Sequence, residues 1–151
     1  MSIEDDIALL ERVPTLRLLG PDPLRMLAIG AEHRNVQGGE ALFRAGDTAD
    51  CGYVVERGAL RVHDNSGTEI VAGPGMLIGE LALLLEMPRP STAVAVEYST
   101  VVRLSRSLFQ RVLESDPAAA VRLRDAFASR ANQIARDILL AGAKLGSSSR
   151  F

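Results

Sequence analysis

The chain has 151 residues, 47% of them hydrophobic and 24% charged, with a net charge of −2 and a pI near 5.7. That describes one domain with one core, and it lacks the basic excess of a nucleic-acid binder. A single cysteine, Cys51, excludes an internal disulfide and a four-cysteine iron–sulfur centre. No run nears the roughly 18 apolar residues of a membrane span, and Met1–Asp6 is acidic rather than a basic leader, so a cytoplasmic location is expected.

In chain order, Ile3–Val13 and Pro23–Glu32 carry apolar residues at helical spacing, with Asp22 placed to cap a helix that has Pro23 at its first position. Short strand signals follow at Tyr53–Glu56, Leu60–His63, Glu69–Ala72, Thr92–Glu97 and Val101–Leu104. Several are rich in valine and separated by turn residues, as a small antiparallel barrel or roll requires, and Gly46, Gly58 and Gly75 are turn or bulge glycines on the same argument. Ser105 precedes a further helical run, and Asp116 with Pro117 starts a longer one.

Between the third and fourth strands lies Gly79–Ala93, reading G-E-L-A-L-L-L-E-M-P-R-P-S-T-A. Gly79 frees the backbone for a sharp turn, after which the amides of Glu80, Leu81, Ala82 and Leu83 open a short helix expected to run to Leu85. Such an end attracts phosphate. Glu80 is placed to accept a hydrogen bond from a sugar hydroxyl, and Arg89 offers a planar fork to phosphate oxygens. One segment thus supplies the parts of a ribose-phosphate site, while Leu81, Leu83, Leu84 and Leu85 read as core.

In the last helix Phe127, Ala131, Ile134, Ile138, Ala141 and Leu145 follow spacings of four and three, an a/d seam that serves either pairing with a second copy or packing on the chain's own barrel. Arg122, Arg124, Arg130 and Arg136 interleave with Asp125 and Asp137, which reads as a solvated or ion-paired face. Beyond Lys144 only seven residues remain, so direct DNA recognition is not expected. His33 and His63 lack carboxylates or thiols at metal-ligand spacing, and neither a metal nor another cofactor is expected. No nucleophile elbow, phosphate-binding Walker loop, carboxylate pair or histidine triad can be assembled, so the chain does not read as an enzyme.

The Gly79–Ala93 segment resembles the phosphate-binding cassette of cyclic nucleotide-binding domains, as in catabolite-activator-type regulators, cyclic-nucleotide-dependent kinases and gated channels. Glu80, Ala82, Pro88, Arg89 and Thr92 all fall on the family pattern. Gly38–Asp47 resembles the family's opening hairpin, Gly52–Val62 its central strand pair, Pro74–Glu80 the approach to the cassette and Leu104–Pro117 the first closing helix. The likeness covers about residues 10 to 140.

The resemblance implies a mainly β fold: an antiparallel, jelly-roll-like β-roll with N-terminal helices, a short cassette helix and a long C-terminal helix. It divides a single domain, 1–145, into N-terminal helices 3–33, β-roll 34–105 and C-terminal helices 106–145, with a tail at 146–151. The implied ligand-binding set is Gly79, Glu80, Leu81, Ala82, Arg89, Pro90, Ser91 and Thr92, with Glu80 on the ribose 2′-hydroxyl and Arg89 on the cyclic phosphate. The residue after the arginine usually donates its amide to the phosphate, and Pro90 has none. That loss is worth on the order of 1.5–3 kcal/mol, against which stand the Ser91 hydroxyl and the backbone confinement imposed by Pro88 and Pro90. Members favouring cyclic GMP often place Ser or Thr at the position of Pro90, so cyclic AMP is expected, with cyclic GMP compatible through Ser91 and Thr92. Hydroxyl residues that reach the base in catabolite-activator-type members align with Ile134 and Ala135, leaving Asn132, Gln133 and Ile134 as base-capping candidates. A cyclic nucleotide sensor that signals by moving its C-terminal helix to an unidentified effector protein, or as a homodimer, is the reading. The alternatives are an assembly module with a ligand-free pocket and, less favoured, a truncated transcription regulator.

Overall fold

The computed structural model describes residues 2–141, without the side chains of 131, 132 and 134–141. Three helices open it: α1 (Ile3–Glu11), α2 (Pro14–Arg17) and α3 (Pro21–Gly30). Ten short strands follow, β1 (Glu32–Val36), β2 (Ala41–Phe43), β3 (Thr48–Ala49), β4 (Cys51–Arg57), β5 (Leu60–His63), β6 (Glu69–Ala72), β7 (Leu77–Ile78), β8 (Met87–Pro88), β9 (Thr92–Ala95) and β10 (Ser99–Ser105). A 3-10 turn at Glu80–Leu83 interrupts them, and α4 (Arg106–Ser115) and α5 (Pro117–Ala141) close the fold. It is mainly β, antiparallel, with flanking helices and a long last helix, as the sequence implies.

Two four-stranded sheets, ordered β1-β10-β4-β7 and β2-β9-β5-β6, face each other across the roll, and β3 pairs with β8 at one end. β4 and β10 explain how one sheet serves two cores. Cys51, Tyr53 and Val55 of β4 and Val101 of β10 point into the roll with Phe43, Leu60 and Val62, while Val54, Val102 and Leu104 point the other way, onto Leu10, Leu16, Leu27 and Phe109 of the helices. Successive strand side chains alternate faces, so a strand covered on both sides reads as a continuous apolar run.

The helical boundaries differ from expectation for local reasons. The helix expected over 3–13 stops at Glu11, because Pro14 disfavours helix in the residue before it and itself begins α2. Asp22 is not the cap of α3: Gly20, at φ 90°, takes that position and Pro21 begins the helix. Ala31 is extended and Glu32 already belongs to β1, so the N-terminal helices end at Gly30 rather than 33. By contrast Ser105 caps α4 through Leu108 N, and Asp116 accepts from Ala119 N at the start of α5.

β5 and β6 span the expected residues, β9 stops two residues short at Ala95, and β4 and β10 extend beyond the expected cores. Neither resemblance-based hairpin is a strand pair. β2 pairs with β9 rather than β3, and β4 and β5 lie in different sheets, with Gly58 (φ 88°) turning the chain between them. A Cβ at Gly58 would collide with the Ser99 hydroxyl.

Candidate functional site

The strand ends, the 3-10 turn and the β8–β9 connection enclose a cavity of about 220 Å³ lined by Phe43, Ile70, Met76, Gly79–Ala82 and Arg89–Ser91 among others. Gly79 sits at φ 78°, where a side chain is strained, and a Cβ there would come within 2.5 Å of Arg89 Nη1. Glycine is therefore required twice over, by the turn and by the guanidinium behind it. The helix that follows is one 3-10 turn rather than a run to Leu85. Its short length leaves Leu81 49% and Leu85 57% exposed, so these two are not core, whereas Leu83 is buried as expected. Arg106, at the start of α4, donates from one nitrogen to the carbonyls of Ala49, Ala82 and Leu85 and so fixes the far end of the turn.

Arg89 is the centre of the site. It is 5% exposed, and its backbone is extended between two hydrogen bonds to the β2–β3 loop, N to Asp47 O and O from Gly46 N. Nη2 donates to Cys51 O at 2.9 Å and to Cys51 Sγ at 3.3 Å. The guanidinium lies 4.2 Å above the Phe43 ring and 5.7 Å from that of Tyr53, with the two rings stacked on each other. Burial pushes the Tyr53 hydroxyl pKa up, and its hydrogen bond with Cys51 adds to this, which keeps the platform neutral. Among the described residues no carboxylate pairs with Arg89, and Nη1 is buried with no hydrogen-bond partner. A buried, unpaired guanidinium donor beside a cavity costs stability until an anion meets it.

Glu80 is placed at the cavity but is already engaged. Thr15 Oγ1 donates to its Oε2 at 2.6 Å, and Arg130 Nη1 of α5 reaches Oε1 at 3.1 Å while stacking on Phe127 at 4.2 Å. Ser91 is buried in the cavity wall, and Pro90 lines it without an amide to give. Thr92 stands apart: its hydroxyl accepts from Ala45 N, in the loop beside Arg89, and it does not line the cavity. Thr15 and Arg106 were not singled out from the sequence, since only the fold brings them to Glu80 and the cassette.

Of the C-terminal candidates, Phe127 packs against the helical core of its own domain, and Gln133 is exposed. The side chains of Ala131, Asn132, Ile134, Ile138 and Ala141, and all of Leu145, lie outside the described residues. Arg122 and Arg130 fold back onto the domain, and Arg124 sits 3.4 Å from Asp125, in keeping with an ion-paired face. No helix among the described residues is long and apolar enough to cross a membrane.

The sequence profile described as "Cyclic nucleotide-binding domain" matches residues 33–116, more than half of the chain and all of the roll but Glu32. The chain belongs to that family. Among solved structures it is similar to a cyclic nucleotide-binding-like protein of Brucella abortus, at 40% identity and a TM-score of 0.64 over 73% of this chain and 98% of that one. It is also similar to the regulatory domain of Toxoplasma gondii PKA solved with cAMP, at 28% identity and a TM-score of 0.66 over 73% of this chain and 44% of that one. A curated relative, lysophospholipase nte1 of Aspergillus fumigatus, is 30% identical over 82% of this chain but only 8% of its own length. The chain thus spans a small part of such relatives, and the likeness to the lysophospholipase gives no ground for assigning its activity to this member of the cyclic nucleotide-binding family.

Proposed function

We propose that this cyclic nucleotide-binding domain is a sensor for cyclic AMP, with cyclic GMP the weaker ligand. The observation that carries the reading is Arg89 Nη1, a buried donor without a partner beside the cavity. A cyclic phosphate supplies the missing acceptor and the missing negative charge together. The partners of Nη2 leave Nη1 as the free arm of the fork, and the Ser91 hydroxyl, on a buried residue of the cavity wall, offers a donor in place of the absent Pro90 amide. The cAMP bound to the Toxoplasma gondii relative supports the same ligand class here.

Signalling follows from the competition at Glu80. A ribose 2′-hydroxyl that donates to Glu80 displaces or weakens Arg130, which loosens α5, and perturbs Thr15 of α2. Ligand occupancy then shifts a population of α5 arrangements, read by an effector protein or a second copy of the chain in the cytoplasm. One observation favours an assembly module with a ligand-free pocket: both Glu80 oxygens already have protein partners and Pro90 has removed an amide. Calorimetric titration with cyclic AMP and cyclic GMP, alongside Arg89→Ala, separates the two. Micromolar or tighter binding lost in the variant supports the sensor; silent titrations on folded protein free of copurified nucleotide leave the assembly module.

A further inference from the structure

A second group of ionisable side chains lies on the opposite face of β4 from Arg89. His33 of β1 sets its Nε2 3.0 Å from Asp6 Oδ1 of α1 and 3.7 Å from Glu56 Oε1 of β4. One ligand atom from each of the three residues lies within 4.8 Å of the other two. The side chains are 6% (Asp6), 13% (Glu56) and 36% (His33) exposed.

The charges there balance only when His33 is protonated and the exposed Arg57 is counted. Two carboxylates face one imidazole, which supplies at most one positive charge. Arg57, with a side chain 71% exposed, reaches only the other oxygen of Glu56, at 3.6 Å. His33 Nε2 meets Asp6 at hydrogen-bond distance, and Glu56 Oε1 is left buried with no hydrogen-bond partner. A buried carboxylate oxygen in that position is stabilised by a further donor or cation.

We infer that Asp6, His33 and Glu56 form a zinc site that fastens the N-terminal helices to the β-roll. Zinc takes imidazole nitrogen and carboxylate oxygen at about 2.0–2.2 Å, so neighbouring ligands of a tetrahedral ion stand about 3.4 Å apart. The two His33 separations, 3.0 and 3.7 Å, bracket that spacing. A divalent ion neutralises the two carboxylates with His33 in its neutral, ligating form, and the exposed side of His33 gives water access as the fourth ligand. The site departs from the expectation that His33 has no metal-binding neighbours, because the carboxylates lie 27 residues before it and 23 after it in sequence. It joins three elements that share few local contacts, α1, β1 and β4.

The test is calorimetric titration of the full chain, freed of metal with EDTA, with zinc chloride, paired with thermal unfolding and with the visible absorption of the cobalt-substituted protein. The expected result is saturable one-to-one binding, a rise in Tm with zinc and a tetrahedral cobalt spectrum. His33→Ala and the isosteric Glu56→Gln should each weaken zinc by no less than the ten- to hundredfold that loss of a supporting residue costs. His63→Ala, on β5 and away from the cluster, should bind as the unaltered chain does. No saturable binding, or binding in Glu56→Gln and His33→Ala as tight as in the unaltered chain, overturns the site and leaves an Asp6–His33 ion pair; the second outcome points to Cys51 or the surface instead.

Discussion

On one face of β4, Cys51 and Tyr53 surround a buried arginine with no acid beside it; on the other, Glu56 meets Asp6 and His33 in a cluster with more acid than base. The two regions meet β4 three positions apart, at Tyr53 and Glu56, and carry opposite charge deficits. Each leaves one buried polar atom without a hydrogen-bond partner, Arg89 Nη1 on the roll side and Glu56 Oε1 on the helix side. Folds rarely retain such atoms, because each costs about 1–3 kcal/mol. Period-two alternation keeps the two from cancelling: a strand sends neighbouring side chains to opposite faces, and the sheet lies between the charges.

The largest expected effect comes from deleting the cation. Arg89→Met should weaken cyclic AMP by about a hundredfold or more in calorimetry. The same change should raise the stability of the ligand-free protein by about 1 kcal/mol, seen in denaturant melts as a higher midpoint with unchanged slope. If the variant is instead less stable, Arg89 is balanced within the fold and its free arm is not a binding device.

On the acidic side, Glu56→Gln should raise the metal-free Tm by about 2–4 °C, since it removes one of two facing negative charges. Zinc should then add little to it. An unchanged Tm would show that the carboxylate excess costs nothing and that the two faces of β4 are not equivalent.

Smaller effects sharpen the roll side. Phe43→Leu removes the ring under the guanidinium and should cost about 0.5–2 kcal/mol of cyclic AMP affinity, roughly a two- to thirtyfold weakening by calorimetry. Arg130→Ala should act with the opposite sign. It frees one oxygen of Glu80 for the ribose, and with the pair partly exposed the gain is about two- to fivefold in affinity. Weaker binding in that variant would mean that Arg130 holds Glu80 in place for the ligand rather than competing with it.

How much of this was legible in the sequence depends on the range over which each feature is decided. Gly79, Glu80 and Arg89 stand at a fixed local spacing, and the turn, the cavity and the buried fork follow from it. The valine-rich run in β4 was visible as a strand for the same reason. β1 was not, because four of its five residues are exposed and its pairing partner is β10, 71 residues on where Glu32 meets Arg103. Leu81 and Leu85 misled because leucines read as core in a helix, and a single 3-10 turn has no inner face to hide them all. Thr15 and Arg130 meet Glu80 from sequence separations of 65 and 50, and His33 meets its acids only through the fold. Local chemistry announced the candidate anion site, whereas the side chains that reach it from afar are products of topology.

Arg122 gives α5 a fixed point. It donates from Nε to Leu18 O and from Nη2 to Leu19 O, groups that belong to the end of α2 and not to the cavity. Arg130 grips Glu80 two turns further on, about 12 Å along the axis, and α5 runs on to Ala141, about 29 Å from Arg122. In the signalling proposed above, the helix would act as a lever with its fulcrum at Arg122 and its load beyond the cavity. A release of one ångström at Arg130 becomes more than two at the far end. A partner gripping the helix at Ala141 would read a mechanical gain set by nothing more than the residue spacing from Arg122 to Arg130 and to Ala141.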